Sequence, residues 1–294
     1  MLQGKIAVIT GASSGIGAAL ADLLAGEGVH LVLGARRRGL LEEVAERARS
    51  HGVRALAVEC DVTRRAAAES LIHVALDRMG GLDILVNNAG RGHLATVEDT
   101  TDEVIEHMFA LNVYALWYTT RPALPHMRRQ GSGHIITMSS MAGKIGFPFN
   151  SAYVASKHAC SGFTHALRME LAGSGVHASV VYPAGVRTEW AQVTEGGPML
   201  PLFTESGPII KRLAAEQGAP LPPMEGVVPP ERVARAVVGC LKDPVAEVYI
   251  QEGSHDFVRL SAENREAAEK YQLPVVMGER EVYERMKGKS STVR

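Results

Sequence analysis

The chain has 294 residues, 46% hydrophobic and 21% charged, enough to bury one sizeable core but short of the size at which separate cores become the rule. Its 31 basic and 32 acidic residues give a formal net charge of −1, which provides no electrostatic footprint for nucleic acid or an anionic membrane surface and leaves small molecules as the expected partners. No apolar run approaches the roughly 20 residues of a membrane span, and the first strand-like run opens at Lys5, too early for a signal peptide, so a cytoplasmic protein is expected. Cys60, Cys160 and Cys240 are odd in number, far apart and without metal-ligand spacing, which predicts reduced core thiols and no metal centre.

Short β-branched runs alternate with longer helical stretches, the pattern of stacked βαβ units. Strands are expected at Ile6–Thr10, Val29–Ala35, Ala55–Cys60, Ile84–Asn87, His134–Ser139, His177–Tyr182 and Val248–Gln251. Their near-continuous apolar character predicts burial on both faces, hence an α/β fold with a doubly wound, Rossmann-like parallel sheet of about seven strands. Helices are expected near 15–28, 39–50, 64–79, 101–121, 152–172 and 230–242, the fourth breaking or kinking at Pro122 and Pro125. Residues 190–230 are rich in Gly and Pro, with Met199, Leu200, Leu202 and Phe203 among them, and are expected to form an insertion. That insertion reads as a lid over a site, as a loop that buries its own apolar residues, or as an oligomer contact. The expected organisation is one domain over 1–253, followed by a charged extension over 254–294 with a helix around 262–271.

Thr10-Gly11-Ala12-Ser13-Ser14-Gly15-Ile16-Gly17 follows the first strand and opens a helix. Glycines there allow a tight turn and close approach to a pyrophosphate, and the helix N-terminus supplies N–H donors, although a bare strand-to-helix connection reads the same way in isolation. Asn87-Asn88-Ala89-Gly90 follows the fourth strand and Ser139-Ser140 the fifth. Tyr153 and Lys157, four apart on the next helix, project from one face. A cation at about 4 Å and an effective dielectric of about 20 is worth on the order of 4 kcal/mol, roughly three pKa units in favour of phenolate before desolvation of the lysine is counted. Alone, such a pair is more often an amphipathic surface pair than a catalytic one.

Together, in this order and on these elements, the motifs resemble the short-chain dehydrogenase/reductase family in its compact single-domain branch. The resemblance runs from about Lys5 to Thr188 and more weakly through Pro230–Leu241 and Glu247–Ile250. It implies that Gly11, Ser13, Ser14, Gly15, Ile16 and Gly17 hold the cofactor phosphates, with Asn88 and Ala89 beside them. Asp61 and Val62 would contact the adenine, Asp61 having the alternative of a helix cap. Val186 and Thr188 would seat the nicotinamide. Ser140, thirteen positions before Tyr153, would orient the substrate oxygen, and Ser139 would face away because strand side chains alternate. Asn112 would hold a water in a proton relay to Lys157, or simply be satisfied by nearby backbone. In reduction, hydride passes from the nicotinamide to the carbonyl carbon while Tyr153 protonates the oxygen and Lys157 also bonds the nicotinamide ribose. Ala184 stands where the family's pattern has glycine, which predicts strain if that position needs positive φ.

The end of the second strand sets the expected cofactor. Eighteen positions past Gly17, where NAD-dependent members place an acid, stands Ala35, followed by Arg36, Arg37 and Arg38. This predicts NADP(H), with Arg36 on the 2′-phosphate and Arg38 solvated, the place of Arg37 being left open between the two. The implied function is an NADP(H)-dependent oxidoreductase acting on a largely apolar carbonyl or alcohol substrate, associating as a homodimer or homotetramer through the helices of Asn112 and Tyr153. A catalytically idle NADP-binding regulator on the same fold is the alternative, set against it by the intact Asn112, Ser140, Tyr153 and Lys157. An epimerase or dehydratase would be expected to carry a larger C-terminal substrate domain.

Overall fold

In the computed structural model, residues 2–291 are described, with side chains through Gly288. Seven parallel strands form one sheet: β1 (Ile6–Thr10), β2 (His30–Ala35), β3 (Ala55–Glu59), β4 (Ile84–Asn87), β5 (Gly133–Met138), β6 (Val176–Tyr182) and β7 (Glu247–Tyr249). The order β3-β2-β1-β4-β5-β6-β7 reverses direction between β1 and β4, and in such sheets ligands bind beyond the carboxyl ends of the strands at that switch point. The helices are α1 (Gly15–Gly26), α2 (Arg38–Ser50), α3 (Arg65–Val74), α4 (Asp102–Phe109), α5 (Ala115–Gln130), α6 (Ser151–Glu170), α7 (Leu200–Gln217), α8 (Pro230–Lys242), α9 (Ser254–Glu263) and α10 (Arg265–Ser291). One apolar core forms where α1, α2 and α8 cover one face of the sheet, through Leu20, Leu24, Leu41, Val44, Val233 and Val237. A second lies under α3, α5 and α6, through Leu71, Ile72, Ala123, Met127 and Leu167. Both faces are covered, so the strands have no polar side to present, as their composition predicted.

The expected break at Pro122 and Pro125 does not occur, for α5 runs through both. Thr119, Thr120, Ala123 and Met127 are buried beneath this stretch, and their burial outweighs the roughly 3 kcal/mol that an interior proline costs. The ladder is disturbed earlier, at a π-helical turn over Ala110–Tyr114 that separates α4 from α5 and carries Asn112.

The region after Trp190 contains α7, and the extension contains two helices where one short one was expected. They part at Asn264, whose side chain accepts the Ala267 N–H at 3.0 Å and caps α10. The two added regions meet. Gly278 of α10 leaves room for Ile210 of α7, and Val282 and Tyr283 share a cluster with Leu94, Phe149, Trp190, Met199 and Leu202. Met199 and Leu202 are therefore buried in this helix pair, whereas Leu200 and Phe203 are exposed.

Candidate active site

The phosphate loop is fixed at the sheet's switch point. The Thr10 hydroxyl accepts the Asn88 and Ala89 amides, both at 3.0 Å, while Asn88 Nδ2 donates to the carbonyls of Thr10 at 2.9 Å and Gly11 at 3.2 Å. A Cβ on Gly17 would stand 2.5 Å from the Gly11 carbonyl oxygen, and one on Gly11 would stand 2.8 Å from the Ala89 Cα. Gly15 adopts φ +56° against the Thr188 methyl, and Ile16 packs on the core. Ser14 occupies the N-cap position of α1 without placing its side chain on the helix amides. The first-turn N–H groups are thus free of a side-chain cap, in a cradle that only glycines leave open, which fits a pyrophosphate.

All three arginines after β2 are exposed, and Arg37, whose place the sequence left open, is ion-paired and hydrogen-bonded at the cradle. Its guanidinium donates to the Ser14 hydroxyl and, at 3.4 Å, to that of Ser13, and pairs with Glu189 at 2.8 Å. Arg36 is exposed, with its charge near Asp61. Burial works against the Asp61 carboxylate, but the Thr63 hydroxyl at 2.8 Å, the Thr63 amide at 3.1 Å and the charges of Arg36 and Arg64 hold its pKa below the usual value. Asp61 thereby closes the turn ahead of α3 rather than capping α3 itself, and Val62 is buried beside it.

Ser140, Tyr153 and Lys157 come together at the carboxyl end of β5. Ser139 turns into α6, donating to the Lys157 carbonyl at 2.9 Å, and Ser140 turns the other way, within hydrogen-bonding reach of the Tyr153 hydroxyl. Ser140 Oγ also accepts the Ala142 N–H at 3.1 Å and donates to the Pro183 carbonyl at 3.3 Å. Lys157 Nζ lies 5.7 Å from the centre of the Tyr153 ring and donates to the Met138 carbonyl at 2.8 Å. Burial dominates the electrostatics. It raises the Tyr153 pKa, against the smaller downward pull of the Ser140 hydrogen bond, and it lowers that of Lys157. The three-unit fall expected for Tyr153 is absent, because desolvation that the sequence could not weigh is the larger effect.

Asn112 is fully engaged. Its amide accepts the Arg91 N–H at 3.1 Å and donates to the Arg91 carbonyl at 3.1 Å and to Ser156 Oγ at 2.9 Å, tying the segment after Gly90 to α6. The Asn112 carbonyl accepts the Cys160 thiol at 3.1 Å.

A cover closes over Tyr153. The Trp190 ring centre is 5.3 Å from that of Tyr153, and Gly92 leaves the space its indole fills. Glu195, just beyond, pairs with His107 of α4 and lies 3.9 Å from Arg91. On the other flank, Gln251 accepts the Ala184 N–H and donates to the Gly185 carbonyl, both at 2.9 Å, setting the segment that leads to Val186 and Thr188. Ala184 is unstrained, since among the described residues only Phe149 is a non-glycine at positive φ. Val186 bridges to Val228, and the Thr188 hydroxyl caps the turn that carries Trp190.

The sequence profile described as short chain dehydrogenase matches residues 5–196. The chain belongs to the short-chain dehydrogenase family. A ketoacyl reductase of Nostoc sp. is 33% identical over 85% of this chain and 80% of that relative. Among solved structures, a short-chain dehydrogenase/reductase from Burkholderia phymatum in complex with NAD superimposes with a TM-score of 0.77 at 30% identity, over 90% of this chain and 95% of that one. An alcohol dehydrogenase of Thermococcus sibiricus complexed with 5-hydroxy-NADP does so with a TM-score of 0.70 at 28% identity, over 84% and 96%. This dehydrogenase is accordingly an oxidoreductase of CH–OH and C=O groups with a nucleotide-binding, Rossmann-like fold. None of its helices is long and apolar enough to cross a membrane, among the described residues.

Several structural contributors carried no motif. Gln251 acts through backbone contacts made by residues far apart in sequence, and Trp190 stands at the start of a segment whose course was unreadable. Arg37 was legible as a charge but not by its direction.

Proposed function

We propose that this short-chain dehydrogenase is an NADP(H)-dependent oxidoreductase of a carbonyl or alcohol substrate with a largely apolar body. The observation that carries the reading is the convergence of Ser140, Tyr153 and Lys157 beside the glycine cradle, under the ring of Trp190. A bound nicotinamide supplies or accepts the hydride. In reduction, the neutral Tyr153 Oη gives its proton to the developing alkoxide, and Ser140 Oγ orients and stabilises that oxygen. The Lys157 ammonium, beneath the ring, stabilises the phenolate left behind, and Asn112 holds Arg91 and Ser156 around it as a positioning residue. In oxidation the same groups act in reverse.

The preference for NADP(H) is supported by the absence of an acid at Ala35 and by two arginines at the mouth of the cradle. Arg36 stays our candidate for the 2′-phosphate, and Arg37 joins it through its seat on Ser13 and Ser14. Related structures hold either cofactor type, so the test is direct: kcat/KM with NADPH and with NADH on one carbonyl substrate. NADPH is expected to be favoured by a factor of ten or more, the worth of about one charge-assisted hydrogen bond. Equal values would overturn the assignment. No observation favours an idle regulator, and the buried proton-transfer set argues against it. We place residues 1–253 in one catalytic and cofactor-binding domain with 254–294 as an extension of it, in a cytoplasmic homodimer or homotetramer. The assembly is supported by Tyr114 and Trp117 of the α4–α5 unit and Met169 of α6, large apolar side chains left exposed on the helices expected to pair.

A further inference from the structure

We propose that Glu279 is a substrate-recognition residue, and that the substrate carries a protonated amine which this carboxylate receives above the reacting end. The proposal rests on the oxidoreductase reading and deepens it by naming the class of substrate.

Gln272, Glu279, Tyr283 and Lys287 are spaced by seven, four and four residues on α10, so they form one stripe along the helix. Three of the four have partners. Gln272 Nε2 donates to the Gly146 carbonyl at 3.1 Å, and Lys287 pairs with Asp99. Tyr283 stacks on Phe149, with ring centres 4.4 Å apart, and its hydroxyl accepts the Thr96 N–H at 3.3 Å. The stripe thus runs along the connection from β5 to α6 and the loop ahead of α4. Glu279 lies between Gln272 and Tyr283, about 6 Å along the axis from the latter, and its carboxylate has no hydrogen bond or ion pair among the described residues.

Its position along α10 is set by the packing on either side. On the N-terminal side of Glu279, α10 packs through Ala268 and Tyr271 into a cluster that includes Met141, Phe147 and Ala184. On the C-terminal side it packs through Val282 and Tyr283 into the cluster of Leu94, Phe149 and Trp190. Phe147 and Trp190, one from each cluster, both also pack against the cluster that contains Tyr153, Trp190 on the Tyr153 ring itself. Glu279 therefore lies along α10 between the turns that enter two apolar clusters, each of which shares an aromatic residue with the cluster of Tyr153. Burial alone pushes its carboxyl up to about 7.

A carboxylate held at the edge of such an enclosure without a partner is destabilising until a cation or donor reaches it. The aromatic walls make the cation the better match, since the faces of Trp, Phe and Tyr attract ammonium groups. A substrate with its carbonyl at Tyr153, an apolar body between Phe147 and Trp190 and an ammonium at the far end satisfies all three features.

The test compares 4-(aminomethyl)acetophenone with its neutral counterpart 4-methylacetophenone in NADPH oxidation at pH 8, by wild type, Glu279→Gln and a control, Glu281→Gln, whose carboxylate faces Arg212 instead. Wild type and the control are expected to favour the amine by about tenfold or more in kcat/KM, and Glu279→Gln to bring the ratio to about one. No preference in wild type, or one that survives in Glu279→Gln, overturns the proposal. Thermal shift with benzylammonium and benzyl alcohol decides it even if neither ketone reacts, an outcome that would count against the oxidoreductase reading alone. A gain in Tm specific to the ammonium and lost in Glu279→Gln supports the site; equal gains from the amine and the alcohol, or none, overturn it.

Discussion

Tyr153 was legible from its spacing to Lys157 and Ser140, but its ionisation was not, because that depends on how deeply Trp190 and α6 bury it. The phenol is held neutral until a substrate oxygen needs its proton. Tyr153→Phe is expected to lower turnover by a factor of roughly 10² to 10⁴, the usual worth of a general acid, while NADPH binding measured by fluorescence survives. Near-normal turnover would rule out the role. At the cradle, Arg36→Ala and Arg37→Ala separate the two candidates for the phosphate, since the one that contacts it should raise the KM for NADPH by about tenfold and leave that for NADH little changed. Glu279 gives a prediction in pH. Its carboxyl rises from an ordinary 4.5 to about 7 on folding, so the folded state binds the proton more tightly and stability falls as pH rises between those values. Glu279→Gln removes that slope, and chemical denaturation should find it more stable than wild type above pH 7 by on the order of 1–3 kcal/mol, with no gain near pH 4.

Among the elements, all seven strands were readable because buried parallel strands are continuous apolar runs, and their ends moved by only a residue or two. The helices were readable where their punctuation is local. α5 was misjudged because proline's effect on a helix is local whereas the burial of Thr119, Thr120, Ala123 and Met127 is not. α7 was missed and α10 foreseen only in its first turns for a related reason: each gains its apolar partner from the other, across more than 60 residues of chain, as the seat of Ile210 on Gly278 and the cluster of Leu202 with Val282 show. Gln251 is the strongest case of a connector without a motif. Gln251→Ala removes both hydrogen bonds that hold Ala184 and Gly185, and is expected to cost about 1–3 kcal/mol in unfolding free energy and to weaken cofactor binding in titration. An unchanged affinity would mean that Val228, which also bonds Gly185, suffices.

For the whole molecule, the proposed assembly buries the exposed Trp117, whose ring meets that of Phe163 edge to face at 4.6 Å. Light scattering is expected to show a dimer or tetramer at micromolar concentration, and Trp117→Glu combined with Met169→Glu to shift it towards monomer. A wild-type monomer would refute the assembly.

The cover over Tyr153 also has a place in time. Every strand of the sheet and the whole phosphate cradle precede α10 in the chain, so a nascent molecule has the parts for its nucleotide site before it has a roof over its substrate. Production of the protein with NADP(H) present should therefore favour the correct route, since ligand can anchor β1, β4 and α1 while Leu94, Phe149 and Trp190 still await Val282 and Tyr283. In that interval those side chains form an exposed apolar patch, and a bulky fusion placed after α10 would prolong it by hindering the helix from docking.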